Sequence, residues 1–143
     1  MKSILFSIVV LFSVKVFAQT PIDELQKNNI SYLELQESEG FEFRSQIITE
    51  FDSNNASQNV NIKLSKDFIY IVVALGDSNI PKISLDIKPA NNAKMESMMP
   101  DESLTGQSFL VTPSKSGRFK ISINAIGLEA SRSGFISFMI LRK

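Results

Sequence analysis

Four acidic side chains, Asp77, Asp86, Asp101 and Glu102, carry the most recognisable potential chemistry in this sequence. Carboxylate oxygens are the ligands that Ca²⁺ selects, typically about six to eight at a time, which makes these four the calcium candidates. Their spacing is not that of an EF-hand loop, and acids in turns are equally the ordinary residues of a solvated surface. Met95, Met98 and Met99 form a second group. Thioethers suit Cu(I), although methionine is more often a core filler, and no His or Cys stands beside them to complete a copper site. Asn29-Ile30-Ser31 and Asn55-Ala56-Ser57 each match the N-glycosylation sequon.

The absences narrow the field further. The 143 residues include no His, no Cys and no Trp. Ser-His-Asp and Cys-His catalysis, His- or Cys-based zinc sites and iron–sulfur clusters are therefore excluded. No glycine-rich phosphate loop follows a strand and opens a helix. A glycosidase-type carboxylate pair has no selective signal among fifteen acidic residues. No catalytic residue and no cofactor other than calcium is expected. For stacking on sugars, only Tyr32, Tyr70 and exposed Phe remain.

The elements that would position these residues begin after residue 18. Met1-Lys2 supply a basic start, Ile4 to Val14 are apolar except for Ser7 and Ser13, and Val16-Phe17-Ala18 matches a signal-peptidase site. The run is shorter than the roughly 20 residues that span a bilayer, and Lys15 interrupts its end. Residues 1–18 are thus expected to be a signal peptide cleaved after Ala18, leaving no membrane span and sending the chain to the periplasm or the medium. With no Cys after that point, lipoprotein processing is excluded. Without Lys2 and Lys15, the 15 acidic side chains outnumber the basic ones, for a net charge of about −2. No basic stripe runs along the sequence, so a nucleic-acid partner is not expected. With no disulfides, stability has to come from burial, and a chain of this length can bury about two-thirds of its unfolded surface.

Residues 19–29 read as a short helix or a flexible segment, with Thr20 as N-cap, Pro21 at the first helical position and Asp23 and Glu24 in the first turn. Residues 30–143 read as one domain of strands. Segments 30–36 and 41–49 flank "ESEG", a turn; in the second, Phe41, Phe43, Ser45 and Ile47 alternate with Glu42, Arg44 and Gln46. "NVNIKLS" places Val60, Ile62 and Leu64 inward, and "KISLDIK" does the same with Ile83, Leu85 and Ile87. "FIYIVVAL", residues 68–75, is apolar throughout and belongs at the centre of a sheet covered on both faces. One short strand is expected near Lys94–Met98, within a loose polar stretch. "QSFLVT", "GRFKISINA" and "GFISFMILR" complete the set. In the second of these, Phe119, Ile121, Ile123 and Ala125 face the core, Arg118, Lys120, Ser122 and Asn124 face water, and Gly117 turns the preceding corner at positive φ. Eight or nine short strands predict an all-β, antiparallel, jelly-roll-like sandwich, with a closed barrel as the alternative.

Five blocks then occur in order: "YIVVALGDSNI", "ISLDIK", "MMPDES", "FLVTPSKSGRFKISI" and "SGFISFMILRK". This series, across about residues 58–143, resembles the bacterial pre-peptidase C-terminal (PPC) domain, the β-sandwich module that includes the collagen-binding domains of clostridial collagenases. The resemblance implies a corner at Ser116-Gly117, with Phe119 as the aromatic that enters the core. It also implies a non-catalytic extracytoplasmic module, and it does not name a ligand. The expected function is that of a monomeric binding or accessory module contacting a polymer, a glycan or a protein. A small secreted hydrolase or inhibitor using surface carboxylates is the alternative.

Overall fold

A run such as Phe68 to Leu75, apolar at every position, forms a strand only where both faces are covered. The computed structural model describes residues 20–89, 93–98 and 104–143. The expected signal peptide, residues 1–18, lies outside them. The described elements are α1 (Pro21–Ser38), β1 (Glu42–Asp52), β2 (Ser57–Leu64), β3 (Tyr70–Gly76), β4 (Lys82–Pro89), β5 (Lys94–Met98), β6 (Gly106–Thr112), β7 (Gly117–Ile126) and β8 (Ser133–Arg142). All pairings are antiparallel. The first sheet has the order β1-β8-β3-β6-β5, and the second β2-β7-β4.

The ladders are nested. β1 pairs with β8, β2 with β7 and β3 with β6, as when one long hairpin is rolled up into two layers. That is the order of a jelly roll, with one change: β5 lies beside β6 in the first sheet and not beside β4 in the second. The all-β sandwich is thus present, with eight strands among the described residues.

β3 sits at the centre of the first sheet and is buried along its whole length. Its alternate residues serve two cores. Tyr70, Val72 and Ala74 face the second sheet, where they meet Phe119, Ile121 and Ile123 of β7. Ile71, Val73 and Leu75 face outward and are covered by Leu25 and Tyr32 of α1, together with Met139 and Leu141 of β8. Burying a side chain such as Leu25 contributes about 1.5–3 kcal/mol, so the helix is held by packing more than by propensity. On the flank between β4 and β6, the Leu85 amide donates to Gln107 Oε1 at 2.6 Å and ties the two sheets together.

Three local expectations are corrected. Residues 30–36 are not a strand, because α1 continues to Ser38. Its start is fixed by the Thr20 amide and hydroxyl, which donate to Asp23 Oδ2 at 3.3 and 2.7 Å. Its end is a Schellman turn, with Phe41 N–H on the Gln36 carbonyl and Gly40 N–H on the Glu37 carbonyl, and Gly40 takes φ +90°. The buried face is Leu25, Asn29, Tyr32 and Gln36, a helical stripe half made of amides, which hides its period from a hydrophobicity reading.

The single alternation through 41–49 is also broken. Phe43 pairs with Leu141 but Ser45 pairs with Ile140, so Arg44 is the extra residue of a β-bulge and the phase reverses across it. Phe43 belongs to the helix-side face, whereas Ile47, opposite Phe138, belongs to the inter-sheet side. Finally, Gly117 is not at positive φ. It opens β7 opposite Leu64, and residues 113–116 turn the corner, with Ser116 Oγ accepting the Lys66 amide at 3.0 Å. Among the described residues, positive φ occurs at Gly40 and Gly127. The facing of Phe119, Ile121, Ile123 and Ala125 is as expected, all four being buried.

Candidate functional site

The acidic candidates are not gathered in one place among the described residues. Asp77, 1% exposed, follows β3; its Oδ1 accepts the Asn79 amide at 2.9 Å and its Oδ2 the Phe135 amide at 2.8 Å. Its own amide donates to the Phe135 carbonyl at 3.0 Å. Gly134 makes room for this carboxylate, since a Cβ there would stand 2.8 Å from Asp77 Oδ1. Asp77 therefore ties the β3–β4 turn to β8. Asp86 points into solvent from the other sheet, opposite Ser122. Asp101, Glu102 and Met99 lie outside the described residues. Among those described, no group of three or more His, Cys, Asp or Glu is placed to hold a metal ion.

Met95 and Met98 point to opposite faces of β5, because they are three residues apart on a strand. Of the two sequons, Asn29 is inside the fold at 3% exposure, whereas Asn55 is exposed in the β1–β2 turn. Neither tyrosine offers a stacking surface. Tyr32 is buried under α1, with its hydroxyl 3.3 Å from Ser108 Oγ, and burial raises its pKa above the usual tyrosine range. Tyr70 is buried between the sheets, and its hydroxyl accepts the Ser65 amide at 2.9 Å.

What the fold does assemble is a cationic cleft. β1 and β2 are edge strands of different sheets, and away from their connecting turn they leave an opening of about 340 Å³ between the layers. Arg44, Lys63 and Arg142 line it, and Tyr70 and Ile140 form part of its wall. A neighbouring space of about 420 Å³ shares Lys63, Tyr70 and Arg142 and adds Ser65 and Ser116. A smaller one, about 150 Å³, lies on the far side of Arg142, beside Phe68, Glu42 and Lys143. Arg142 borders all three.

Its position is set by the strands around it. Arg142 ends β8 and is opposed by Tyr70 on one side and Glu42 on the other. Its guanidinium carbon lies 4.2 Å from the centroid of the Phe68 ring, which in turn meets Tyr70 edge-on at 6.2 Å. Arg142 Nε is buried and makes no hydrogen bond, and the Glu42 carboxylate stands 4.0 Å from it. The bulge at Arg44 turns a second guanidinium toward the same opening, a common use of bulges beside binding sites.

No family model matches this chain, and neither a curated protein nor a solved structure matches it. The site is therefore characterised by its own chemistry. Three cations with adjacent serine hydroxyls can hold an anionic group through charge-assisted hydrogen bonds. Among the described residues that line these spaces, Glu42 is the one acid.

A further cavity of about 350 Å³ opens near β4 and β6, with Lys82 as the one charged side chain among its described lining residues. It reaches Met98 and Thr105, on either side of residues 99–103, so its wall is described only in part. Sequence reasoning missed the Arg142 cleft because its residues come from positions 44, 63, 70 and 142. The cation at the end of an apolar strand, in "FMILR", was the one available signal.

Proposed function

We propose that this protein is an exported, non-catalytic binding or accessory module that contacts an extracytoplasmic polymer, glycan or protein through the cleft at Arg142. The observation that carries this reading is the convergence of Arg44, Lys63 and Arg142 on one open space with no acid among its described lining residues, Glu42 bordering only the smaller space beyond Arg142. Such a site retains an anionic ligand and, among the described residues, lacks a proton-transfer pair. The PPC-like blocks support a module role, and the signal-like residues 1–18 support export to the periplasm or the medium.

Hydrogen exchange during titration with gelatin, neutral dextran and polygalacturonate tests the proposal. Protection of amides 44–46 and 62–65 by at least one probe, with no change in the probe's chain length, is expected. The reading fails if no probe protects them, or if a probe is cleaved and changing a single Asp or Glu abolishes the cleavage.

A further inference from the structure

The solvent face of the second sheet is charged in a way that the linear sequence conceals. Each of its strands contributes only a few cations, but the register places them side by side. Lys63 on β2 is directly opposite Arg118 on β7, and Lys120 on β7 is directly opposite Lys88 on β4. All four are exposed. Like charges opposed across a ladder destabilise a sheet, so folding alone does not favour this arrangement. No ion pair with a described residue relieves it, since the salt bridges found are Lys94–Glu96, Arg132–Glu129 and Arg142–Glu42. On this face, the single acid among the strand residues is Asp86.

This row is continuous with the cleft. Lys63 lines the cleft and also begins the row, so cationic groups run from Arg142 and Arg44 through Lys63 and Arg118 to Lys120 and Lys88. Polar amides and hydroxyls stand between them: Asn61 is opposite Lys120, and Ser122 Oγ donates to Asn59 Oδ1 at 2.7 Å. None of the solvent-facing side chains of these three strands is aromatic, and the one large apolar side chain among them is Ile126, alone at the end of β7 opposite Lys82 and away from the paired cations. A nucleic-acid strand would use an aromatic platform there, and a membrane surface would use apolar groups. Hydroxyl-rich chains with repeated negative charges match both the cations and the amides.

We propose that the cleft and the outer face of the second sheet form one extended site for an acidic polysaccharide. Its carboxylate or sulfate groups are held by Arg142, Lys63, Arg118, Lys120 and Lys88, and its hydroxyls by the interleaved Asn and Ser. This rests on the binding-module reading and names its ligand class.

The test is calorimetric titration of the protein with polygalacturonate, dextran sulfate and neutral dextran, between about 50 and about 200 mM salt. Binding of at least one acidic polymer that weakens steeply with salt is expected, and the choice between the two tells carboxylate from sulfate recognition. The Arg118→Gln/Lys120→Gln variant should lose about tenfold or more in affinity. Its thermal midpoint should stay level or rise, because the like-charge pairs are relieved, an outcome that a structural role for these residues would not give.

Four results overturn the proposal: no binding of either acidic polymer, binding undiminished in the variant, equal affinity for mixed-sequence single-stranded DNA at the same salt, or equal affinity for phosphatidylglycerol vesicles. Protection of the cleft by gelatin or neutral dextran without acidic-polymer binding would sink this inference and leave the module reading standing.

Discussion

The backbone amide of Leu85 on β4 donates to the side-chain oxygen of Gln107 on β6, 2.6 Å away, and so crosses from one sheet to the other. It fastens the flank of the sandwich opposite the cleft. On the cleft flank, β1 and β2 pair only with β8 and β7, and the layers part there. Gln107→Ala leaves a part-buried amide without its acceptor, a loss of about 0.5–1.5 kcal/mol. Urea denaturation should show that loss while polymer binding at Arg142 stays unchanged. An unaltered urea midpoint would mean that the bond does not fasten that flank.

Asp77 gives a sharper prediction about metal. Its carboxylate already accepts two backbone amides in a buried turn, so Asp77→Ala strands both donors and should cost about 1–3 kcal/mol. Asp77→Asn keeps one acceptor oxygen and should cost less. Thermal melts with and without millimolar Ca²⁺ separate two roles for this residue. A turn residue gives the same loss in both conditions, whereas a calcium ligand gives a larger loss when the ion is present.

The strands were legible in the sequence wherever one residue's environment settled its facing. β3 read correctly because an unbroken apolar run is compatible only with cover on both sides, and β7 because its alternation from Arg118 to Ala125 separates core from water, Ile126 alone being an apolar residue on the water face. α1 was cut short because Asn29 and Gln36 occupy half of its buried stripe. The inserted Arg44 reversed the phase of β1, and a bulge has no compositional signature when its residue is not glycine. The cationic site was illegible for a topological reason. Lys63, Arg118, Lys120 and Lys88 become neighbours only through the β2-β7-β4 register, and Arg142 joins them only when β8 lies between β1 and β3.

β7 also supplies an ordered series of variants. Phe119 is fully buried, so Phe119→Ala should cost about 3–5 kcal/mol through lost burial and a residual cavity. Arg118→Ala, on the solvent face, should stay within about 0.5 kcal/mol. Gly117 and Gly127 bracket the strand but differ in φ, and only Gly127, at +81°, asks for a left-handed backbone. Gly127→Ala should therefore cost about 1–2 kcal/mol and Gly117→Ala less. The reverse order for the two glycines would misplace the corner.

Asn29 is the least satisfied group described in the helix interface. Both atoms of its side-chain amide are buried without a hydrogen-bond partner, on the helix face that packs against Ile71, Val73 and Leu75 of β3. Leaving such a group unpaired costs about 1–3 kcal/mol, so Asn29→Leu should raise the urea midpoint and slow amide exchange in α1. A lowered midpoint would show that the amide is satisfied in solution by water.

Tyr32 makes helix docking weaken at alkaline pH. Burial raises its pKa, and the hydrogen bond with Ser108 offsets only part of that rise. In the unfolded chain the phenol ionises near its ordinary value of about 10, whereas in the folded protein it holds its proton to higher pH. The unfolded state therefore loses the proton first. The contribution to stability is fully present below the unfolded pKa and is lost as pH rises through the folded one. Tyr32→Phe keeps the ring and removes the titration. At about pH 8 it should be less stable than the wild type by about 0.5–1.5 kcal/mol, for the lost bond to Ser108. By about pH 11 that difference should shrink or reverse, because only the wild type loses stability by ionising this group. Urea midpoints for both proteins across that range decide the matter, and parallel curves would mean that the Tyr32 hydroxyl is not held in a buried site.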